Sequence, residues 1–162
     1  MLGIVKNHKL VIISYYQTYN PTMQYTKSNS KGQLFFTAEV KANNVLACEW
    51  TGYINDIPKA QEACLLMAEI AQRYKCAIIL NDNRKQLGPW PAINEWLEVT
   101  WKPALAKAGI KWFAHIHSEN IFTQISANKV LLSQMSCGIE FHNFDSEPSA
   151  LTWALGQKQK VA

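Results

Sequence analysis

The sequence predicts an α/β fold, in which a mixed sheet starts with an antiparallel hairpin and continues through right-handed parallel βαβ units, with helices packed on the sheet. Three observations predict it. Two alternating stretches are joined by Asn43-Asn44, strand-like and helix-like stretches alternate strictly after them, and the apolar run 77–80 lies between two helical patterns. With 162 residues and no long linker, the chain is predicted to form a single domain, 1–162.

The first 32 residues are predicted to be an extension ahead of the main fold. The run 10–16 is β-prone, whereas residues 17–32 are polar and contain Pro21, Gly32 and several Asn and Ser. We expect a strand at 10–16, followed by a polar loop that holds a short strand near 23–26. The core of the fold is then predicted to span 33–156.

The clearest alternation in the chain predicts a β-hairpin. Every second residue from position 34 is apolar and is expected on one face: Leu34, Phe36, Ala38 and Val40. The residues between and after them, expected on the other face, are Phe35, Thr37, Glu39 and Lys41. Asn43-Asn44 tolerates the positive φ of a tight turn, so the hairpin joins strands at 33–41 and 45–53.

Helices and strands alternate in the rest of the chain. Pro58 suits the first turn of a helix, and apolar residues at helical spacing continue that helix to residue 74. A second helix is expected from Pro91, with a break near Trp101-Lys102, because an interior proline costs about 3 kcal/mol or kinks the helix. Pro103 is expected to start a short second piece that ends at Gly109. The later elements are expected to be a strand at 110–118, a helix at 119–135, a strand at 138–144 and a final helix capped by Ser146.

The strand predicted at 76–82 ends in polar residues and carries the candidate site. Asn81, Asp82, Asn83 and Arg84 are expected to form a polar loop at its carboxyl end, where ligands collect in open α/β sheets. Arg84 could hold a carboxylate or a phosphate in two hydrogen bonds. Alternatively, Asp82 accepts local backbone N–H groups and Arg84 pairs with an acidic neighbour. Together with Trp90, these four residues are the candidate ligand or partner site, and no catalytic residue is assigned.

Three histidines are weighed as a metal site. His115 and His117 share one face of a predicted strand, and His142 lies on a strand expected to be its neighbour. Three imidazoles could bind zinc, but no fourth ligand or supporting carboxylate is evident. Chance placement or exposed histidines at a sheet edge are favoured, a pH-sensitive patch is an alternative, and no metal or cofactor is predicted.

Composition and motifs exclude several classes of function. The net charge is only +4 and the basic residues are scattered, which argues against nucleic-acid binding. No apolar stretch approaches the ~20 residues that span a bilayer. Four cysteines without a C-x-x-C pair indicate buried, reduced thiols and a cytoplasmic protein. Phosphate-binding, nucleotide-binding and hydrolase motifs are missing. The six tryptophans are expected in the core, or in a pocket or dimer seam.

The order of elements and several local signatures resemble the STAS-like family, the sporulation anti-sigma-factor antagonists and the bacterial domains grouped with them. The resemblance covers roughly residues 33–156. Its residues are Glu49-Trp50-Thr51-Gly52-Tyr53, Ile79-Leu80-Asn81-Asp82-Asn83-Arg84, Trp96, Trp101, Pro103, Leu105, Ala108-Gly109-Ile110 and Phe144-Asp145-Ser146 with Ala150 and Trp153.

The resemblance implies a non-enzymatic binding or regulatory module that forms a homodimer or docks a protein partner. In the antagonists, the equivalent strand ends in Asp-Ser, and that serine accepts the phosphate that switches partner binding. Here Asn83 follows Asp82, and an amide is not a phosphate acceptor, so the switch is not carried over. Two alternatives stay open: a carrier of a small amphipathic or lipid-like ligand, by analogy with the related lipid carriers, and an enzyme that uses Asp82 and Arg84.

Overall fold

A computed structural model describes residues 23–90, 92–117 and 137–161 and places six strands in one mixed sheet. The strands are β1 Gln24–Ser28, β2 Leu34–Lys41, β3 Val45–Tyr53, β4 Ile78–Leu87, β5 Trp112–Ile116 and β6 Glu140–Phe144. They lie side by side in chain order; β1, β2 and β3 pair antiparallel, and β3 to β6 pair parallel. The predicted α/β class, with an antiparallel hairpin followed by parallel strands, is confirmed.

Helices cover both faces of this sheet. The helical segments are α1 Ile57–Tyr74, α2 Asn94–Trp96, a π-helical turn Leu97–Trp101, α3 Lys102–Lys107 and α4 Glu147–Val161. Asp56 caps α1 by accepting the backbone N–H of Lys59 at 3.2 Å. None of the helices in the described ranges is both long and apolar enough to cross a bilayer.

The two sides of the sheet have separate cores. On the α1 face, α1 and the segment 94–107 pack on a large cluster that includes Phe36, Trp50, Ile79, Phe113 and Phe141. On the α4 face, α4 packs through Ala150 and Ala154 on a smaller cluster that includes Val45, Ile78, Leu80, Trp112 and Ala114. Successive residues of a strand point to opposite faces, so the buried strands β4 and β5 supply both cores.

The predicted hairpin turn is confirmed, but one facing assignment in it is wrong. Asn43 and Asn44 have φ of 61° and 55°, the left-handed values that the turn requires. Leu34, predicted to share a face with the buried Phe36, is 53% exposed. Phe35, predicted on the other face, is buried with its ring centroid 6.1 Å from that of Trp50. Lys27 of β1 pairs with Phe36, but the next residue, Ser28, pairs with Leu34, so β2 has one extra residue, Phe35, at this end. Such a bulge disturbs the alternation of side chains.

The predicted change near Trp101-Lys102 is partly confirmed: the short helix α3 begins at Lys102 with Pro103 in its first turn, but the backbone does not break there. The backbone stays helical through Pro103, and the turn before it widens into the π-helical segment, where the Lys102 N–H bonds the Leu97 carbonyl. Such a wider turn accommodates a proline, which has no N–H to donate and collides with the preceding turn of an α-helix. The predicted end at Gly109, with φ of 97°, is confirmed.

The other predicted elements are either present with different ends or lie outside the described residues. The short strand predicted near 23–26 is β1, and the strands predicted at 110–118 and 138–144 are the shorter β5 and β6. The Ser146 carbonyl accepts the Ala150 N–H at 3.2 Å at the start of α4, which continues through Gly156. The strand predicted at 10–16, the helix at 119–135 and the helix start at Pro91 lie outside the described residues.

Candidate functional site

The predicted polar loop at 81–84 is wrong, because β4 continues through these residues to Leu87. The neighbouring β3 holds them in the sheet: Glu49 pairs with Asp82, and Tyr53 pairs with Leu87. The register shifts between these two pairs, so β4 contains one residue more than β3 there, which is a bulge. Strand alternation therefore directs Asn81 and Asn83 to the α1 face and Asp82 to the α4 face.

On the α1 face, the amides of β4 form a buried hydrogen-bonded chain. Trp50 Nε1 donates to Asn81 Oδ1 at 2.8 Å, and Asn81 Nδ2 donates to Asn83 Oδ1 at 2.7 Å. Asn83 Nδ2 in turn donates to Gln86 Oε1. All three amide side chains are at least nine-tenths buried, and these mutual hydrogen bonds offset much of the cost of removing them from water.

His115 continues this chain onto β5. It lies directly opposite Asn81 in the parallel register, and its Nδ1 is 3.1 Å from Asn81 Nδ2. Only 4% of its surface is exposed. Burial, with a smaller contribution from the charge of His117, lowers the pKa of His115 to about 4. Its imidazole is therefore neutral at physiological pH.

Trp90 joins the same face through Trp50. The two indole rings meet edge to face with centroids 4.8 Å apart, and Trp90 is partly buried against the core. The structure thus brings together Asn81, Asn83 and Trp90 of the predicted site. Among the described residues, the buried polar atoms without a hydrogen-bond partner include Trp90 Nε1, Asn94 Oδ1 and His115 Nε2.

The two charged residues of the predicted site lie on the opposite face and bind each other. Arg84 Nη2 and Nε donate to Asp82 at 2.6 and 3.0 Å, and the Arg84 backbone N–H donates to the same carboxylate at 3.0 Å. Partial burial, which by itself raises the pKa of Asp82, is outweighed by these hydrogen bonds and by the charge of Arg84. The net result is a lowered pKa for Asp82. Asp82 is thus ionised and paired with Arg84. This agrees with the alternative prediction, in which Asp82 accepts a local backbone N–H and Arg84 pairs with an acidic neighbour.

Asp82 also borders a small charged groove of about 230 Å³ on the α4 face. Glu39, Lys41, Glu49 and Glu147 line it too. The acidic groups lie beside lysines: Glu147 pairs with Lys41 at 3.1 Å, and Glu49 pairs with Lys85 at 2.8 Å. The groove is therefore lined by ion pairs that already satisfy each other.

The histidines proposed as a possible cluster are separated by the sheet. His115 faces α1, whereas His142 of β6 faces α4 and stacks on Trp153 with ring centroids 4.5 Å apart. Among the described residues, no group of three or more His, Cys, Asp or Glu side chains is arranged to hold a metal ion. Sequence spacing alone could not tell which face of the sheet each ring would take.

A larger groove lies at the carboxyl end of β3, and the sequence prediction missed it. It has a volume of about 910 Å³, opens to solvent, and is lined by the β1–β2 loop, the start of β2, the end of β3 and the start of α1. Three of the large apolar side chains that line it are exposed: Leu34 at 53%, Tyr53 at 63% and Ile57 at 41%. Leu87, which pairs with Tyr53, is also 48% exposed.

The cysteines are free thiols, as expected. Cys48, Cys64 and Cys76 are buried and Cys137 is half-buried. Burial raises the pKa of both Cys48 and Cys64, so neither is a reactive thiolate at neutral pH.

Comparison of the chain with family models, with curated proteins and with solved structures gave no match.

Proposed function

We propose that this protein is a non-enzymatic binding or regulatory module of the STAS-like class, and that it forms a two-fold dimer through the groove at the end of β3. The observation that carries the proposal is the concentration of exposed apolar side chains, Leu34, Tyr53 and Ile57, around one open groove. Contiguous apolar surface of this kind marks interaction sites in soluble proteins.

Membership of the STAS-like class is supported by the order of the sheet and by the residues that carry the sequence resemblance. The hairpin leads into parallel strands, and β4 lies inside the sheet between β3 and β5. Asn83, at the position of the family's phosphate-accepting serine, is 4% exposed and hydrogen-bonded to Asn81 and Gln86. A module of this kind would act without the phosphorylation switch.

A non-enzymatic role is supported by the state of the only charged pair in the predicted site. An enzyme that used Asp82 to move protons would need a pKa near the working pH. Instead, the pKa of Asp82 is lowered and its carboxylate is already held by Arg84.

A second copy of the chain is the occupant that best suits the groove. A two-fold interface uses the same patch on both subunits, so the patch must contain both a cavity and the side chains that fill it. The groove and its apolar rim meet this requirement, because Leu34, Tyr53 and Ile57 lie beside the space that a partner's copies of them would enter.

The test is sedimentation velocity over a range of protein concentrations. A buried Leu or Ile side chain is worth about 1.5–3 kcal/mol, and each substitution occurs twice in a dimer. Only about half of each side chain is exposed and left to be buried by a partner, so the double substitution Leu34→Gln and Ile57→Gln should weaken dimerisation by about 100-fold or more. Val99→Gln is the matched control, because Val99 is 68% exposed and does not line the groove.

The proposal predicts a dimer for the wild type and for Val99→Gln, and a monomer for the double variant. A wild-type protein that sediments as a monomer at every concentration overturns it. Equal weakening by the control would also reject the groove as the interface.

A further inference from the structure

The buried hydrogen bonds that link the side chains of Trp50, Asn81 and His115 fix the position of one proton. An indole N–H donates and never accepts, so the atom of Asn81 that faces Trp50 Nε1 at 2.8 Å must be its oxygen. The nitrogen of the same amide then faces Asn83 Oδ1 and His115 Nδ1, at 2.7 and 3.1 Å. Because an amide nitrogen is a donor only, Nδ1 of His115 must accept.

This arrangement determines the tautomer of His115. A neutral imidazole that accepts at Nδ1 carries its hydrogen on Nε2. Protonating Nδ1 would set two donors against each other, and turning the Asn81 amide to relieve that conflict would set its NH2 group against the Trp50 N–H. The indole therefore locks His115 as a neutral ring with an Nε2–H donor.

That donor is buried and has no partner among the described residues. Nε2 of His115 is inaccessible to solvent, and the residue as a whole is 96% buried. Leaving a buried donor without an acceptor costs about 1–3 kcal/mol. Positions of this kind in a native fold are often functional or are satisfied by another molecule. His115 also lies one residue before the carboxyl end of β5, and parallel sheets bind ligands at the carboxyl ends of their strands.

We propose that the Nε2–H of His115 is the donor of a small-ligand subsite, and that this subsite takes an uncharged molecule through a carbonyl oxygen. The inference does not depend on the dimer proposed above. A carbonyl oxygen matches a neutral donor in a buried setting. A carboxylate would bring an unpaired charge to a ring that Asn81 prevents from becoming cationic, and burying such a charge is costly.

The experiment uses the full chain with ¹⁵N-labelled histidine at neutral pH. Long-range ¹H–¹⁵N spectra distinguish the two neutral tautomers and the charged ring. N-methylacetamide is then titrated as the carbonyl probe, and acetate is titrated separately as the charged probe. We expect the Nε2–H tautomer, a saturable shift of its resonance with N-methylacetamide, and binding of acetate that is about tenfold weaker or absent.

Two substitutions test the lock itself. Trp50→Phe removes the indole N–H and keeps an aromatic ring, so Asn81 can turn and the single tautomer should be lost. Trp101→Phe is the matched control, because the Trp101 indole donates to the Cys64 carbonyl at 3.0 Å, away from His115. Asn81→Asp tests the same point independently, since its carboxylate accepts from both neighbours and should draw the proton to Nδ1.

Some outcomes overturn the proposal. A wild-type ring in the Nδ1–H or charged form would contradict the lock, as would an unchanged tautomer in Asn81→Asp. A resonance that does not move with N-methylacetamide, or that moves equally with acetate, would reject the subsite for an uncharged carbonyl.

Discussion

Four consecutive residues of β4 place two kinds of polar group on opposite faces of one sheet. Asn81 and Asn83 point to the α1 face, are buried, and satisfy each other within a neutral hydrogen-bonded chain. Asp82 and Arg84 form an ion pair on the other face, where the Arg84 side chain is 44% exposed. Neutral amides can be buried once their hydrogen bonds are made, whereas charges are retained where water reaches them. The buried side should therefore contribute far more to stability.

The strongest test of this comparison is Asn81→Leu, which keeps the number and branching of the side-chain heavy atoms and removes both polar atoms. It would leave the Trp50 N–H and the Asn83 carbonyl oxygen buried without their partners. We expect the free energy of unfolding to fall by about 2–4 kcal/mol. Urea denaturation followed by tryptophan fluorescence and by circular dichroism measures the change.

The comparison would be broken if Asn81→Leu cost less than about 0.5 kcal/mol, the size typical of neutral surface changes. Such a result would mean that the hydrogen-bonded side chains on the α1 face rearrange at little cost or are hydrated. A double variant with Trp50→Phe sharpens the test. Because that variant removes the indole donor as well, the two losses should be less than additive.

Asp82→Asn tests the opposite face of the same strand. It preserves the shape of the side chain and removes the charge that pairs with Arg84. We expect a loss of about 1 kcal/mol at neutral pH, and a smaller loss at high salt because partly exposed ion pairs are screened. Parallel urea titrations of the variant and the wild type at low and high salt would measure it.

The pH dependence of this difference has a definite sign. The folded pKa of Asp82 lies below its ordinary value, so the carboxylate stabilises the fold above about pH 4, the unfolded pKa of Asp. The stability gained is lost as the pH falls through the folded pKa. The gap between wild type and Asp82→Asn should therefore close below about pH 4. A gap that widened there would contradict the lowered pKa.

The parts of the fold that sequence predicted are those set by local signals. Asn43-Asn44 marks a turn by its tolerance of positive φ, and Gly109 marks a helix end for the same reason. Pro103 was a correct local signal with an incorrect consequence. Its effect depends on whether the preceding turn can widen, and the packing of Leu97 and Trp101 in the core holds that turn helical.

The candidate site was only partly predictable, because distant residues decide its geometry. Polar residues at 81–84 suggested a loop, yet Trp50, 31 positions earlier, supplies the donor that allows Asn81 to stay in a buried strand. The role of His115 depends on its register opposite Asn81. The groove beside Tyr53 was missed, since apolar residues in a strand pattern are expected inside and their exposure follows from how α1 and the β1–β2 loop are placed.

The smallest expected effect belongs to the neighbouring pair on the α4 face, Lys85 and Glu49. Their distance is 2.8 Å, but the Lys85 side chain is 64% exposed. At that exposure, the attraction is offset by screening and by the ordering of a long side chain. Lys85→Met should leave the urea midpoint unchanged within error, and the same result is expected at low and high salt. A clear loss from this substitution, comparable to that of Asp82→Asn, would show that exposure does not rank the polar contacts of β4. The contrast between its two faces would then need another cause.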